Sequence, residues 1–402
     1  MNAPETLSTV RPAAADLLAW PLIQTLVSFD TTSRDSNLAL IDWVTGYLES
    51  HGIESTLTFN DDRRKANLFA TLPARDGDAT EGGVVLSGHT DVVPVDGQPW
   101  DTNPFTATRI GDKIYGRGVT DMKSFSATGL SFVPEFMRRG LKRPVHFALS
   151  YDEEVGCVGV RRLIADIVRR GVSPLGCIVG EPTGMELVVA HKGKKSWRCR
   201  VRGHEAHSSL TPLGVNAVQI ACEIVTYLTN MARSFRDDGA FDNAYDVPFT
   251  TVHTGVIRGG TALNIVPRDC SFDFEIRHLP FDDPDELFAE VEAYAHRFLP
   301  EMRKIAADAH IEFDALSTMP GLDTEGDTKI AELGRECNAA DGHGKVSFGA
   351  EASLFHAASI PAIICGPGHI AQAHQPNEWV SIDQLALCEA FMRRLADRVC
   401  AS

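Results

Sequence analysis

Three short apolar runs each end on a charged or histidine-bearing stretch, and that pairing constrains the fold more than any other feature. VVLS runs into GHTD (88–91), FALSY into DEE (152–154) and CIV into GEPT (180–183). Short apolar runs bounded by turn residues read as buried strands. The runs 66–72 and 359–368 have the same character. Helical patterns fall between them: two pieces in 16–51 broken at DTTSRDSN, then 122–138, 157–170, 327–340 and 382–398. Strands alternating with helices imply an α/β fold, a mixed sheet with helices on both faces. Such sheets bind ligands beyond the carboxyl ends of their strands, where the three polar stretches lie.

The pattern changes after about residue 190. A strand (194–202), a helix (214–234), strands 249–257 and 268–276, a helix (284–303) and a strand (309–316) follow in turn. That β-α-β-β-α-β order predicts a ferredoxin-like α+β unit, with both helices on one face of a four-stranded sheet. The economical layout is a catalytic α/β domain (1–191 and 318–402) interrupted by this smaller one (192–317). A chain of 402 residues is long for one core, which agrees with two domains.

Composition excludes several function classes. The formal charge is -16, and the one basic run, HKGKKSWRCRVR (191–202), alternates as a strand does, so nucleic acid is not an expected partner. No apolar stretch approaches the roughly 20 residues that span a bilayer, and MNAPETLSTV lacks the pattern of a secretory leader. Nine cysteines without a pairing rhythm suggest reduced thiols in the cytoplasm, Cys400 lying near a frayed tail.

The candidate metal ligands are His89, Asp91, Asp121, Glu153, Glu154, Glu181 and His374. Imidazoles with several carboxylates suit zinc or a similar divalent ion. Two ions about 3.5–4 Å apart need a bridge, for which Asp121 in GRGVTDMK is the best candidate. His89 and Asp91 share a side of an extended segment, so the Asp91 carboxylate is expected to accept from the imidazole and orient it. Adjacent Glu153 and Glu154 point opposite ways if extended, so one ligates while the other faces the reacting water. No HExxH, GxSxG or P-loop is present. A metal-binding scaffold without a free base stays open on this reading.

Further segments carry a resemblance: LSGHTDVVPV (86–95), GRGVTDMK (116–123), YDEEVG (151–156), GEPT, GHEAHSS (203–209), GGTALNIVP (259–267), GAEASLF (349–355) and GPGHIAQAHQPNEWV (366–380). From about Leu17 to Leu395 the chain resembles the M20 metallopeptidase family. The resemblance implies a two-metal catalytic domain with an inserted lid that dimerises. It implies His89 and Glu181 on the first ion, Glu154 and His374 on the second, Asp121 between them, Asp91 behind His89 and Glu153 as general base. The ions would be zinc, or cobalt. His207 would enter the partner subunit's site to stabilise an oxyanion, and Asn264 and Arg277 would contact substrate. The implied substrate is an N-acyl amino acid. The tail and GAEASLF are most similar to the branch acting on N2-acetylornithine, and Glu351 is expected to attract a cationic side chain. Ala350 and His369 depart from that branch's GTEA and GPGSI. Desuccinylases, other deacylases, dipeptidases and carboxypeptidases are the alternatives.

Overall fold

The computed structural model describes residues 16–77, 79–338 and 344–401. They form two compact units, one of residues up to 189 with 324–344 and 350–402, the other of 190–323 with 345–349.

In the first unit, Val84–His89 lies between Val145–Ser150 and Gly176–Val179 and runs parallel to both. Ala362–Ile364 extends the parallel set beside Gly176–Val179. Ala66–Leu72 and then Ser55–Phe59 add antiparallel on the other side, so the sheet is mixed. All six residues of Val84–His89 are buried, as expected of a strand covered on both faces. Leu86, Phe147 and Ile178 enter one core with Phe125, Leu130 and Met392. Helix Val158–Arg169 packs against Ala66–Leu72 and Val145–Ser150. It buries Val160, Leu163, Ile164 and Ile167, one apolar stripe. Each such side chain contributes about 1.5–3 kcal/mol.

Because the three central strands are parallel neighbours, HTD, DEE and GEPT leave the sheet at one edge. Helix Lys123–Ser131, wholly buried, brings Asp121 to the same edge. Glycine is required at position 180, where a Cβ would sit 2.0 Å from the Phe125 ring.

The chain leaves this unit along Val188–His191, whose first residue pairs with Ile364. His191 and Ala190 pair with the returning strand Leu322–Asp323. The second unit is a four-stranded antiparallel sheet in the order Thr251–Gly259, Asp269–His278, Gly193–Arg202, His310–Met319. That is the ferredoxin-like order. Alternate residues Trp197, Cys199 and Val201, with Phe272, Phe274 and Ile276, share a core with Ala221, Ile224 and Leu228 of helix Ala217–Asp238 and Val291 of Pro284–His296. Trp197 stacks on Phe274 and Phe288, with ring centroids 5.4 and 4.6 Å away.

Several boundaries differ from the sequence reading. The helix expected over 122–138 is two, Lys123–Ser131 and Val133–Arg139, with Pro134 in the first turn of the second. Likewise 284–303 divides into Pro284–His296 and Leu299–Ile305, with Pro300 at the restart. Proline lacks the N–H that would continue the earlier helix. The run 359–368 yields only the strand Ala362–Ile364. Helix Lys329–Asn338 matches 327–340, whose last two residues lie outside the described set. Ser55–Phe59 and a small sheet of Thr108–Ile110, Lys113–Tyr115 and Trp379–Ser381 were not foreseen. All nine cysteines are free. Cys400 is buried and bridges to Leu141, not frayed.

Candidate metal centre

The strand-end residues converge in the first unit. His89 closes its strand, and its Nε2 lies 2.8 Å from Asp121 Oδ1 and 3.7 Å from Glu181 Oε1. His374 Nε2 lies 3.2 Å from Asp121 Oδ2 and 2.9 Å from Glu154 Oε2. Asp121 therefore turns one oxygen to each imidazole, so its two oxygens are placed to be shared between two ions. Ligand atoms of His89, Glu153 and Glu181 lie within 4.8 Å of one another, and so do those of His89, Asp121 and Glu154. His89, Asp121 and Glu181 are buried, while the His374 ring is half exposed.

The electrostatics show an excess of buried negative charge. Burial, then the charge of Asp121, raises the Glu181 carboxyl well above its ordinary value. Glu154 is raised for the same two reasons. Glu153 is pushed up to about 8, chiefly by burial, against the pull of His89. Burial opposes a charge on His89, but Asp121, Glu181 and Glu153 outweigh it and hold the imidazole well above its ordinary value. Hydrogen bonds to Asp121 and Glu154 push His374 up to about 10. Burial would raise Asp121 as well, yet the two imidazoles hold it far below the usual carboxylate range. Four carboxylates and two imidazoles in so small a space fit a pair of divalent cations, whose positive charge would offset the crowded carboxylates.

Asp91 works differently from expectation. His89 Nδ1 donates to the main-chain carbonyl of Asp91 at 2.8 Å, and the Asp91 carboxylate is 3.7 Å away. That carboxylate instead accepts the backbone N–H of Glu153 at 3.0 Å, that of Glu154 at 3.3 Å and the Ser33 hydroxyl at 2.7 Å. Asp91 thus orients His89 through its main chain and the glutamate pair through its side chain. The glutamates are not in an extended segment either. Asp152 at φ 56° turns the chain after Val145–Ser150, and Lys65 holds its carboxylate at 2.5 Å. Glu154 reaches His374, while Glu153 Oε1 accepts from the Cys157 thiol at 3.0 Å. Ser33 was missed from sequence because only folding brings it to Asp91, 58 residues away. Cys157, four residues after Glu153, was missed because a lone cysteine there reads as a small core residue.

Glu351 corrects a second expectation. It is fully buried, and its two oxygens accept from the Ser87 and Ser150 hydroxyls at 2.6 and 2.8 Å. It fastens two neighbouring strands from beneath and has no open face for a substrate side chain. Ala350 is buried as well. His369 is exposed, and its ring covers Gly184, where a Cβ would meet it at 2.3 Å.

The other residues singled out by sequence belong to the second unit. His207 is exposed and caps the 3-10 turn Ser208–Leu213, its Nδ1 2.8 Å from the Ser209 hydroxyl. Asn264 is exposed beside it, its carbonyl accepting from Ser208 N at 3.0 Å. Arg277, on Asp269–His278, pairs with Glu275 at 2.8 Å.

The family model described as peptidase family M20/M25/M40 matches residues 85–398. The chain belongs to this family. It is 32% identical to the acetylornithine deacetylase of Proteus mirabilis, over 96% of this chain and 95% of that protein. Its fold matches aminopeptidase PepT of Bacillus cereus with TM-score 0.75 at 19% identity, covering 94% of this chain and 97% of that one. It also matches Bacillus subtilis YxeP, described as a dinuclear metal-binding peptidase of the M20 family, with TM-score 0.65 at 16% identity, covering 94% and 97%. The chain is a metal-dependent amidohydrolase of this family, and its histidine and carboxylate cluster could hold divalent ions. Among the described residues no helix is long and apolar enough to cross a membrane.

Proposed function

We propose that the protein hydrolyses the amide bond of an N-acyl amino acid, N2-acetyl-L-ornithine first, to give L-ornithine and acetate as a step of arginine biosynthesis. The observation that carries the substrate is the likeness to acetylornithine deacetylase along nearly the whole of both chains. The buried Glu351 gives no support of its own, so the choice of ornithine rests on that likeness.

His89 and Glu181 would hold one ion, Glu154 and His374 the other, with Asp121 shared. When bound, divalent ions polarise the acyl carbonyl and make the attacking water more acidic. Zinc suits the donor set best, with cobalt an alternative. Glu153 takes the water proton as the water attacks and passes it to the leaving amine. Its main-chain bond to Asp91 and its thiol contact with Cys157 hold the carboxylate for that transfer. His207, lent by the partner subunit of a homodimer formed through the second unit, donates to the developing oxyanion. Asn264 and Arg277 contact the substrate, the guanidinium pairing with its α-carboxylate. Nine unpaired cysteines support a reducing, cytoplasmic setting.

The test is a panel on metal-loaded protein: N2-acetylornithine, other N-acetyl amino acids, N-succinyl-diaminopimelate and dipeptides. Highest kcat/KM on N2-acetylornithine is expected. Faster cleavage of a dipeptide or a succinyl substrate would replace this substrate with the family alternative. No turnover of any of them with two ions bound would return the protein to a binding role.

A further inference from the structure

Glu378 is buried, 1% exposed, and four donors converge on its carboxylate. The main-chain N–H groups of Gly118, Thr120 and Asp121 reach it at 3.1, 2.8 and 3.1 Å. The guanidinium of Arg117, equally buried, reaches it at 2.8 Å. Arg117 is itself held by Gln98 at 2.7 Å and lies 5.2 Å from the Trp100 ring centroid.

The three N–H groups belong to the loop between strand Lys113–Tyr115 and helix Lys123–Ser131. Buried N–H groups outside a ladder or helix need an acceptor. One side chain supplies it for all three and so holds the main chain on both sides of the peptide that leads into Asp121. From that position the Asp121 carboxylate faces His89 with one oxygen and His374 with the other. Glu378 also sits four residues after His374, just before Trp379–Ser381, whose Trp379 pairs with Tyr115. The segment that carries one imidazole therefore anchors the loop that carries the shared carboxylate.

We propose that Glu378 is the positioning residue for the bridging carboxylate, tying the placement of Asp121 to that of His374. This rests on the two-ion reading above. Burying an anion among backbone donors is costly unless every contact is made, and the return here is a fixed place for a metal ligand. Partners that orient ligands in this way typically change metal affinity by about 10- to 100-fold when altered.

The test uses the full-length metal-free protein and two conservative variants. Glu378→Gln keeps the size but offers one acceptor oxygen in place of two and turns its amide to Arg117. Glu378→Asp keeps the charge and draws it back by one methylene. Zn2+ is titrated against a chromophoric chelator, and the visible spectrum of the Co2+ form is recorded alongside a thermal melt. Both variants should bind the weaker of the two ions about 10- to 100-fold less tightly, with an altered Co2+ spectrum. Affinity within twofold of wild type and an unchanged spectrum in either folded variant would overturn the proposal, even with a lowered Tm, because that pattern belongs to a merely structural residue. Wild type binding fewer than two ions would instead refute the two-ion reading.

Discussion

Replacing Asp91 by Asn separates two ways in which this carboxylate can act. The carboxylate is buried and takes three donors, the N–H groups of Glu153 and Glu154 and the Ser33 hydroxyl. Asparagine offers one oxygen and one NH2. Whichever way the amide turns, one glutamate N–H faces a donor. A hydrogen bond to a charged group contributes about 1.5–3 kcal/mol. At 1.36 kcal/mol per tenfold, losing one costs about 10- to 150-fold in kcat through displacement of the glutamate pair. The bond from His89 to the Asp91 main-chain carbonyl is untouched by the substitution, so the ion on His89 should stay. The assay pairs metal content by elemental analysis with steady-state kinetics on the best substrate of the panel. If Asp91→Asn loses an ion in step with its activity, and excess metal restores both, the carboxylate acts on His89 and the geometric argument is wrong.

Other outcomes follow from the same contacts. Glu153→Gln should keep both ions and lose about 10²–10⁴ in kcat, the usual range for a general base; more than a tenth of the activity remaining would remove Glu153 from that role. His374→Ala should halve the metal stoichiometry, since His89 and Glu181 stay in place; retention of two ions at wild-type affinity would show that His374 is not a ligand. Glu351 tests the link between burial and pH. Burial raises its carboxyl above the ordinary value against the bonds from Ser87 and Ser150, so the folded state holds the proton more tightly than the unfolded chain. The stability this confers is present below the unfolded pKa and is lost as pH rises through the folded one. Wild type should therefore lose stability relative to Glu351→Gln across that window in denaturant titrations, and a pH-independent difference would contradict the sign.

Much of the architecture was legible in the chain itself. Apolar runs ending in HTD, DEE and GEPT announced buried strands with polar carboxyl ends, because period and turn chemistry are local properties. The β-α-β-β-α-β order of the second unit was readable for the same reason. Proline positions 134 and 300 were visible too, yet the extended helical patterns around them hid the breaks. The short strand 379–381 escaped because its partner, 113–115, lies far away in the chain. Strand 55–59, which pairs with the neighbouring 66–72, escaped because it is only five residues long and half-buried throughout.

The sequence by itself determined which residue types stand at the strand ends, and with them the metal chemistry. Tertiary structure decided what each one touches. Asp91 and His89 are neighbours in sequence, but the contact that forms uses a main-chain carbonyl, and the carboxylate goes to glutamates some 60 residues away. An acidic residue in a family motif, Glu351, becomes a buried fastener of two strands, because its neighbours are hydroxyls from strands far away in the chain. Composition and spacing set the donors available. Direction, burial and competing partners arise only when segments hundreds of residues apart share one low-dielectric space.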